Sequence, residues 1–165
     1  MTVGIRPMVA GDKPALMRIL RNTPEFKPFE VAVAEEVIDA FLTDPEGTGY
    51  FTLVAEDGGE IAGYVCYGET PCTVGTWDIY WIAVDQQKRG RGIGKFLSEA
   101  AEVAIKQTGG RLAVIETSST PLYENTRLFY LKRGYETVAR IPDFYAPGDD
   151  KVVFTKVVGP VRSAG

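Results

Sequence analysis

At 165 residues, with 45% apolar and 24% charged side chains, the chain has the length of one domain and enough apolar material for a core. Its net charge of −4 argues against non-specific nucleic-acid binding, which needs a basic surface, and no apolar stretch approaches the ~20 residues that span a membrane. The absence of histidine removes Ser-His-Asp and Cys-His catalysis and the common zinc sites, and two cysteines, Cys66 and Cys72, are too few for a disulfide framework and are expected to be reduced.

Met1 to Arg6 lacks the basic-then-apolar order of a signal peptide, so the expected compartment is the cytoplasm. Val3 to Arg6 reads as a first strand. Asp12 is placed to cap a helix with Pro14 in its first turn, running to about Asn22 with Leu16, Ile19 and Leu20 inward. Thr23 to Phe29 breaks it with two prolines and two aromatics. A second helix follows over Val31 to Thr43, with Val33, Val37, Ile38 and Phe41 at helical spacing. Tyr50 to Glu56 and Ile61 to Tyr67 are strands joined by the hairpin turn Asp57-Gly58-Gly59-Glu60. Gly75 to Val84 is a strand ending in an apolar run that suggests burial on both faces.

A helix from near Gly92 to about Gln107 carries an apolar stripe of Ile93, Phe96, Leu97, Ala100, Ala101 and Ala104, and Gly109-Gly110 stops it. Leu112 to Glu116 is a buried strand, parallel to the previous one because a helix connects them. Leu122 to Arg133 is a helix with Leu128, Phe129 and Leu131 as core candidates, stopped by Gly134. Tyr135 to Ile141 and Val152 to Val158 are strands joined by an aromatic loop, Pro142 to Gly148, and a frayed tail is expected from Gly159. These elements describe one α+β domain around a mixed sheet, over residues 1–158.

Arg89-Gly90-Arg91-Gly92-Ile93-Gly94 lies between a strand and a helix, with Lys88 and Lys95 beside it. Unpaired N–H groups and a partial positive charge at a helix N-terminus favour an anion, and glycines let the backbone approach it closely. The triphosphate P-loop fails, because Phe96 follows Lys95 where Ser or Thr is needed and Arg89 stands at the first glycine position. The dinucleotide pattern G-x-G-x-x-G fails at Lys95. The remaining pattern, Arg or Gln-x-x-Gly-x-Gly or Ala, is met by Arg89, Gly92 and Gly94.

That spacing resembles the coenzyme A pyrophosphate loop of the GNAT N-acetyltransferase superfamily. The order of elements resembles the GNAT fold from end to end, and Asn125 to Tyr135, with the Phe129-Tyr130 pair ahead of Gly134-Tyr135, resembles the family's second motif. The resemblance implies a mixed seven-stranded sheet with four helices and splayed central parallel strands. It implies acetyl-CoA as co-substrate, held by backbone N–H groups of Arg89, Gly90, Arg91, Gly92, Ile93 and Gly94, with Lys95 beside them. The strand backbone of Ile82, Ala83 and Val84 would line the pantetheine arm and polarise the thioester carbonyl. Tyr130 matches the family's tyrosine acid, and Asn125 resembles an asparagine that hydrogen-bonds the cofactor. Asp78 stands where the histone-acetylating branch carries a glutamate base. Glu116, at the end of the next strand, is its rival for that role, and Thr117 and Ser118 either bond cofactor or substrate or terminate the strand.

The acceptor pocket is expected between the Pro24–Phe29 segment, the outer part of the Asp78 strand and the Phe144–Tyr145 loop. Phe26, Phe29, Tyr80 and Tyr145 are the lining candidates, among more aromatics (Trp77 and Phe144 included) than a core needs. Glu25, Asp78, Glu116 and Asp143 are carboxylates that could attract an ammonium. The expected activity is N-acetyl transfer to a small-molecule or amino-acid amine, with a protein amine or a non-catalytic acyl-CoA sensor as alternatives. No nucleic-acid or membrane partner is expected, and a homodimer through the last strands would cover their edges.

Overall fold

The computed structural model describes residues 2–160. Seven strands form one sheet in the order β1-β2-β3-β4-β5-β7-β6. In chain order these are β1 Val3–Pro7, β2 Tyr50–Asp57, β3 Glu60–Glu69, β4 Thr76–Val84, β5 Leu112–Ser118, β6 Glu136–Ala146 and β7 Asp149–Val157. Helices α1 Lys13–Arg21, α2 Pro28–Thr43, α3 Ile93–Gln107 and α4 Glu124–Lys132 complete the fold. Two cores lie on opposite faces of the sheet. α1 and α2 bury Leu16, Leu20, Ala34 and Ile38 against Val54, Tyr64 and Cys66. α3 and α4 bury Ile93, Leu97, Ile105 and Tyr130 against Val65, Ile79, Ile115 and Phe154.

The β2–β3 turn is tight because Gly58 and Gly59 both take positive φ (65° and 82°), matching the twist of the two strands. β4 and β5 are parallel, and they pair over only three steps, Thr76↔Leu112, Trp77↔Ala113 and Asp78↔Val114. Past that point β4 keeps its ladder with β3 and β5 keeps its ladder with β7. The strands therefore splay, with β4 from Ile79 to Val84 along one side of the gap and β5 from Ile115 to Ser118 along the other. A β-bulge sits at the parting. β3 pairs Cys66 with Trp81 but Tyr67 with Ile79, so Tyr80 is the extra residue. The bulge reverses the facing of the strand: Ile79 lies on the α3 side, and beyond it Ile82 and Val84 pack there while Trp81 and Ala83 turn to the α1–α2 side.

Several sequence expectations shift. Asp12 makes no side-chain cap on α1. Its carboxylate takes both Arg6 Nη atoms at 2.8 Å and the Val9 N–H at 2.8 Å, pinning β1 to the helix entrance. α2 begins three residues early, at Pro28, whose lost N–H costs nothing in a first turn. Val33 is exposed and Val31 and Ala34 take its inward place, while Phe96 of α3 is likewise exposed. The Leu122–Arg133 helix is a 3-10 turn, Pro121–Tyr123, followed by α4, and its Leu128 and Leu131 face solvent because Tyr130 occupies the buried side. The aromatic loop is strand: β6 runs to Ala146 and only Pro147 and Gly148 turn. Pro142 is tolerated because β6 is an edge strand and its register with β7 breaks between Ile141 and Ala146. Gly159 donates to Arg111 O at 3.3 Å, so the expected tail is anchored there, and residues 161–165 lie outside the described residues.

Arg6 also pairs with Glu56 on β2 at 2.7 Å, so one guanidinium links β1, β2 and the start of α1. The Arg6 guanidinium holds the Asp12 carboxyl below its ordinary pKa. A depressed carboxylate stabilises the fold above its unfolded pKa, and that contribution is lost as pH falls. Asp12→Ala is expected to cost about 2 kcal/mol in urea unfolding at pH 7, a charged buried hydrogen-bond partner being removed, with the difference from wild type shrinking below about pH 4.

Candidate active site

The glycine loop caps the gap. A 3-10 turn, Gln86–Lys88, leads out of β4, and Asp85 caps it by accepting from Gln87 N–H at 3.0 Å. Gly90 and Gly92 then both take left-handed φ (79° and 78°), a conformation that a side chain would strain, and α3 starts at Ile93. No side chain caps α3, and the N–H groups of Gly92, Ile93, Gly94 and Lys95 donate to no described residue. These converging donors at a helix N-terminus are an anion cradle, and space around Gly90 is open. A pyrophosphate fits this donor set.

The loop's cations are mostly engaged elsewhere. Lys88 binds Glu60 at 3.0 Å and the Asp57 carbonyl at 3.1 Å, and Arg91 binds Asp57 at 2.8 Å. The β2–β3 turn therefore clamps the glycine loop from below. Arg89 reaches Glu25, in the α1–α2 connection, at 3.4 Å, and Lys95 lies 3.8 Å from Glu99 in an exposed pair. The cradle is made by backbone, and the basic side chains fix its shape. Gly94 meets the ring of Phe129, where a Cβ would come within 3.4 Å, so its bareness lets α4 approach the N-terminus of α3.

Along β4 the backbone direction alternates. Asp85 N–H donates to Ala62 O at 2.8 Å, across from it on β3. In an antiparallel ladder the pairs alternate, so Ala83 spends its groups on β3 and the N–H and C=O of Ile82 and Val84 point into the gap. Asp78 stands at the apex, in the last β4–β5 pair, half-buried, and one carboxylate oxygen accepts from Thr70 Oγ1 at 2.7 Å. Beside it Tyr80, on the bulge, contacts the ring of Tyr50 edge-on at 5.7 Å, and burial with Asp78 nearby pushes its hydroxyl up to about 12.

Tyr130 is buried on the α3–α4 side, its ring against Phe129, Tyr135 and Phe154 at 5.2, 5.6 and 6.3 Å. Burial raises its pKa well above that of an ordinary tyrosine, so the hydroxyl is protonated and is a weaker acid than a free tyrosine. Among the described residues nothing hydrogen-bonds it. Tyr135 behind it is held by Glu102 (3.0 Å), which also takes Lys156 at 2.8 Å. Asn125 is exposed on the first turn of α4 and bonds no described residue, while Ser118 is tied to Asp149 and Thr120.

On the opposite face a set of carboxylates gathers around two tyrosines. Glu116, Asp149 and Glu30 act on Tyr145, and Glu30, Glu25 and Asp149 act on Tyr123. Burial first, then these charges, pushes both hydroxyls up to about 12. Glu116 is paired with Lys151 at 2.8 Å, and Tyr123 donates to Glu25 O at 2.6 Å, fastening the α1–α2 connection to the start of α4. Glu25, Glu116 and Tyr145, singled out from the sequence, lie on this side together with Tyr123, Glu30 and Asp149, which were not. Asp143 is instead spent on the Gly148 N–H (2.8 Å) at the hairpin tip. Trp77 is core, Phe26 half-buried against α1, and Phe29 exposed beside Lys27. Both cysteines are free thiols, Cys66 buried and Cys72 exposed.

Comparison with known proteins agrees with this geometry. The Acetyltransferase (GNAT) domain model matches residues 48–137. A protein from Desulfovibrio desulfuricans assigned to the GNAT family of acetyltransferases is 37% identical and superposes with a TM-score of 0.92, covering 95% of this chain and 99% of that one. The ribosomal-protein-S18-alanine N-acetyltransferase of Escherichia coli shares the fold at 15% identity and TM-score 0.78, with 99% of each chain covered. So does the PaiA N-acetyltransferase of Thermoplasma acidophilum, solved with coenzyme A, at 14% identity and TM-score 0.75, over 95% and 99% of the two chains. No curated protein sequence matches significantly. The chain belongs to the GNAT acetyltransferase family and is an acetyl-CoA-dependent N-acetyltransferase.

Gly92→Ala is expected to weaken coenzyme A binding in calorimetry, because a Cβ at φ 78° costs about 1–2 kcal/mol and re-aims the cradle. Lys95→Ala, which removes an exposed side chain but no donor of the cradle, is expected to leave that affinity nearly unchanged.

Proposed function

We propose that the enzyme transfers the acetyl group of acetyl-CoA to the primary amine of a small molecule or amino acid, by direct attack of the amine on the thioester. The observation that carries this reading is the gap itself, with an uncapped helix N-terminus at its mouth; Tyr130, packed on the α3–α4 face of the sheet, supports it. Acetyl-CoA supplies the acyl thioester. Backbone donors of Gly92 to Lys95 hold its pyrophosphate, with Arg89, Gly90 and Arg91 shaping the cradle. The exposed edge of β4 at Ile82 and Val84 pairs with the pantetheine arm as a strand would.

An amine is nucleophilic only when neutral. Asp78 is the proposed base, taking the ammonium proton directly or through a water, its free oxygen lying at the apex where the strands part. Glu116, Glu25, Glu30 and Asp149 form the negative field that draws a cationic acceptor, with Tyr80, Tyr123, Tyr145, Phe26 and Phe29 as its walls and rim. Tyr130 gives its proton to the departing sulfur and is reprotonated by the proton that the attacking nitrogen sheds as the amide forms. A thiol is more acidic than this tyrosine, so the donation runs against a gradient and is coupled to the development of negative charge on sulfur. Tyr123 and Arg89 both hold Glu25, which narrows the acceptor side and favours a small amine over a protein chain. β6, exposed along its length, is the proposed contact of a homodimer.

Tyr130→Phe is expected to lower kcat by roughly 10²–10⁴ while coenzyme A affinity stays the same, because the ring keeps its packing and only the proton donor is lost. Thiol release in the presence of an amine panel measures the first and calorimetry the second. Turnover on peptides but not on small amines would overturn the acceptor assignment, and tight coenzyme A binding without turnover on any amine would overturn the enzyme.

A further inference from the structure

Two buried side-chain oxygens lack a hydrogen-bond partner among the described residues, Thr52 Oγ1 and Thr117 Oγ1. They stand in very different places. Thr52 is on β2, opposite Cys66, inside the sheet and away from the gap. Thr117 is on β5, three residues beyond the last β4–β5 pair, where β5 borders the gap on one side and holds β7 on the other.

The facing of Thr117 follows from the register. Ala113 and Ile115, four and two residues before it, lie in the core under α3 and α4. Its cross-strand partner on β7 is Val152, which belongs to the same cluster as Tyr130. Side chains directly opposite each other share a face, so the Thr117 hydroxyl is on the face of the sheet where the Tyr130 ring stands. Its neighbour Ser118 is different in kind: that hydroxyl bonds Asp149 and Thr120, which makes it structural.

A threonine is a poor choice for this position on stability alone. Valine has the same shape and the same preference for a strand, and it would leave no polar atom stranded. A buried hydroxyl with no partner is destabilising, so its place on the stretch of β5 that borders the gap points to a partner that arrives with a ligand. The pantetheine arm carries amides whose N–H and C=O leave water when it enters. The β4 edge, with Ile82 and Val84, can satisfy such groups on one side of the gap only.

We propose that Thr117 Oγ1 hydrogen-bonds an amide of the pantetheine arm from the β5 side, so that the arm is held between backbone on β4 and a side chain on β5. Thr117 is then a cofactor-binding residue on the same face of the sheet as Tyr130. The inference rests on the acetyl-CoA reading of the gap, and the test separates the two.

Coenzyme A itself is the probe, titrated by calorimetry into wild type, Thr117→Val, Thr117→Ser and Thr52→Val, with the melting temperature of each ligand-free variant recorded. Loss of one hydrogen bond at the ligand is expected to weaken binding by Thr117→Val about three- to tenfold, with Thr117→Ser close to wild type. The ligand-free melting temperature of Thr117→Val is expected to equal or exceed that of wild type, since no internal bond is lost. Thr52→Val, the same chemical change away from the gap, is expected to leave affinity unaltered. Unchanged affinity in Thr117→Val, or a clear loss of ligand-free stability in it that Thr117→Ser does not share, would overturn the assignment. A wild type that does not bind coenzyme A would overturn the reading of the gap instead.

Discussion

Two parallel neighbours in the middle of a sheet that stop pairing after three residues leave backbone groups unsatisfied in the protein interior, and backbone polar groups rarely go without partners. Much of the architecture keeps that unpaired stretch open. β5 cannot close on β4 because β7 holds its other edge through Ser118. β4 cannot swing across because it is laddered to β3, and the bulge at Tyr80 turns its outer half. Gly94 against Phe129 fixes the two helices that cover the gap, so the space is framed by rigid elements. A frame of this kind lets a bound arm complete the sheet, with the ordering cost already met when the protein folds.

Electrostatics divides the molecule along the same line. The protein is acidic overall, and its one basic run is largely neutralised by Asp57, Glu60 and Glu25. Anion binding at the glycine loop then depends on oriented N–H dipoles, which are placed by folding and need no rearrangement. On the other face carboxylates dominate, close to tyrosines that burial keeps protonated. In the proposed reading an anionic donor and a cationic acceptor are drawn to opposite faces of one sheet and meet through the gap. Arg89 with Glu25 spans the two regions.

Legibility of these features in the sequence followed their physical range. The glycine loop was readable because left-handed φ and an uncapped helix start are local demands that glycine meets at Gly90 and Gly92. The splay was implied only through family resemblance, since nothing in β4 or β5 taken alone says that they part. Tyr130 was legible through its motif, but its burial beside Tyr135 and Phe154 was not, and Leu128 and Leu131 were placed in the core because a two-turn helix offers too few apolar positions to fix its inward face. Pro142 and Gly148 suggested a loop where the chain forms an edge strand. Tyr123, Glu30 and Asp149 come from a 3-10 turn, a helix start and a hairpin, and only tertiary contact brings them together.

In the proposed reading the open edge of β4 and the N-terminus of α3 receive one extended ligand. Amide hydrogen exchange with and without coenzyme A, read by NMR at single residues, addresses it most directly. Added protection is expected at Ile82 and Val84, whose N–H groups face the gap, and at Gly92 to Lys95, with Ala83 already protected by β3 in the free protein. Protection by coenzyme A that misses both segments, or exchange at Ile82 and Val84 as slow without ligand as with it, would contradict it.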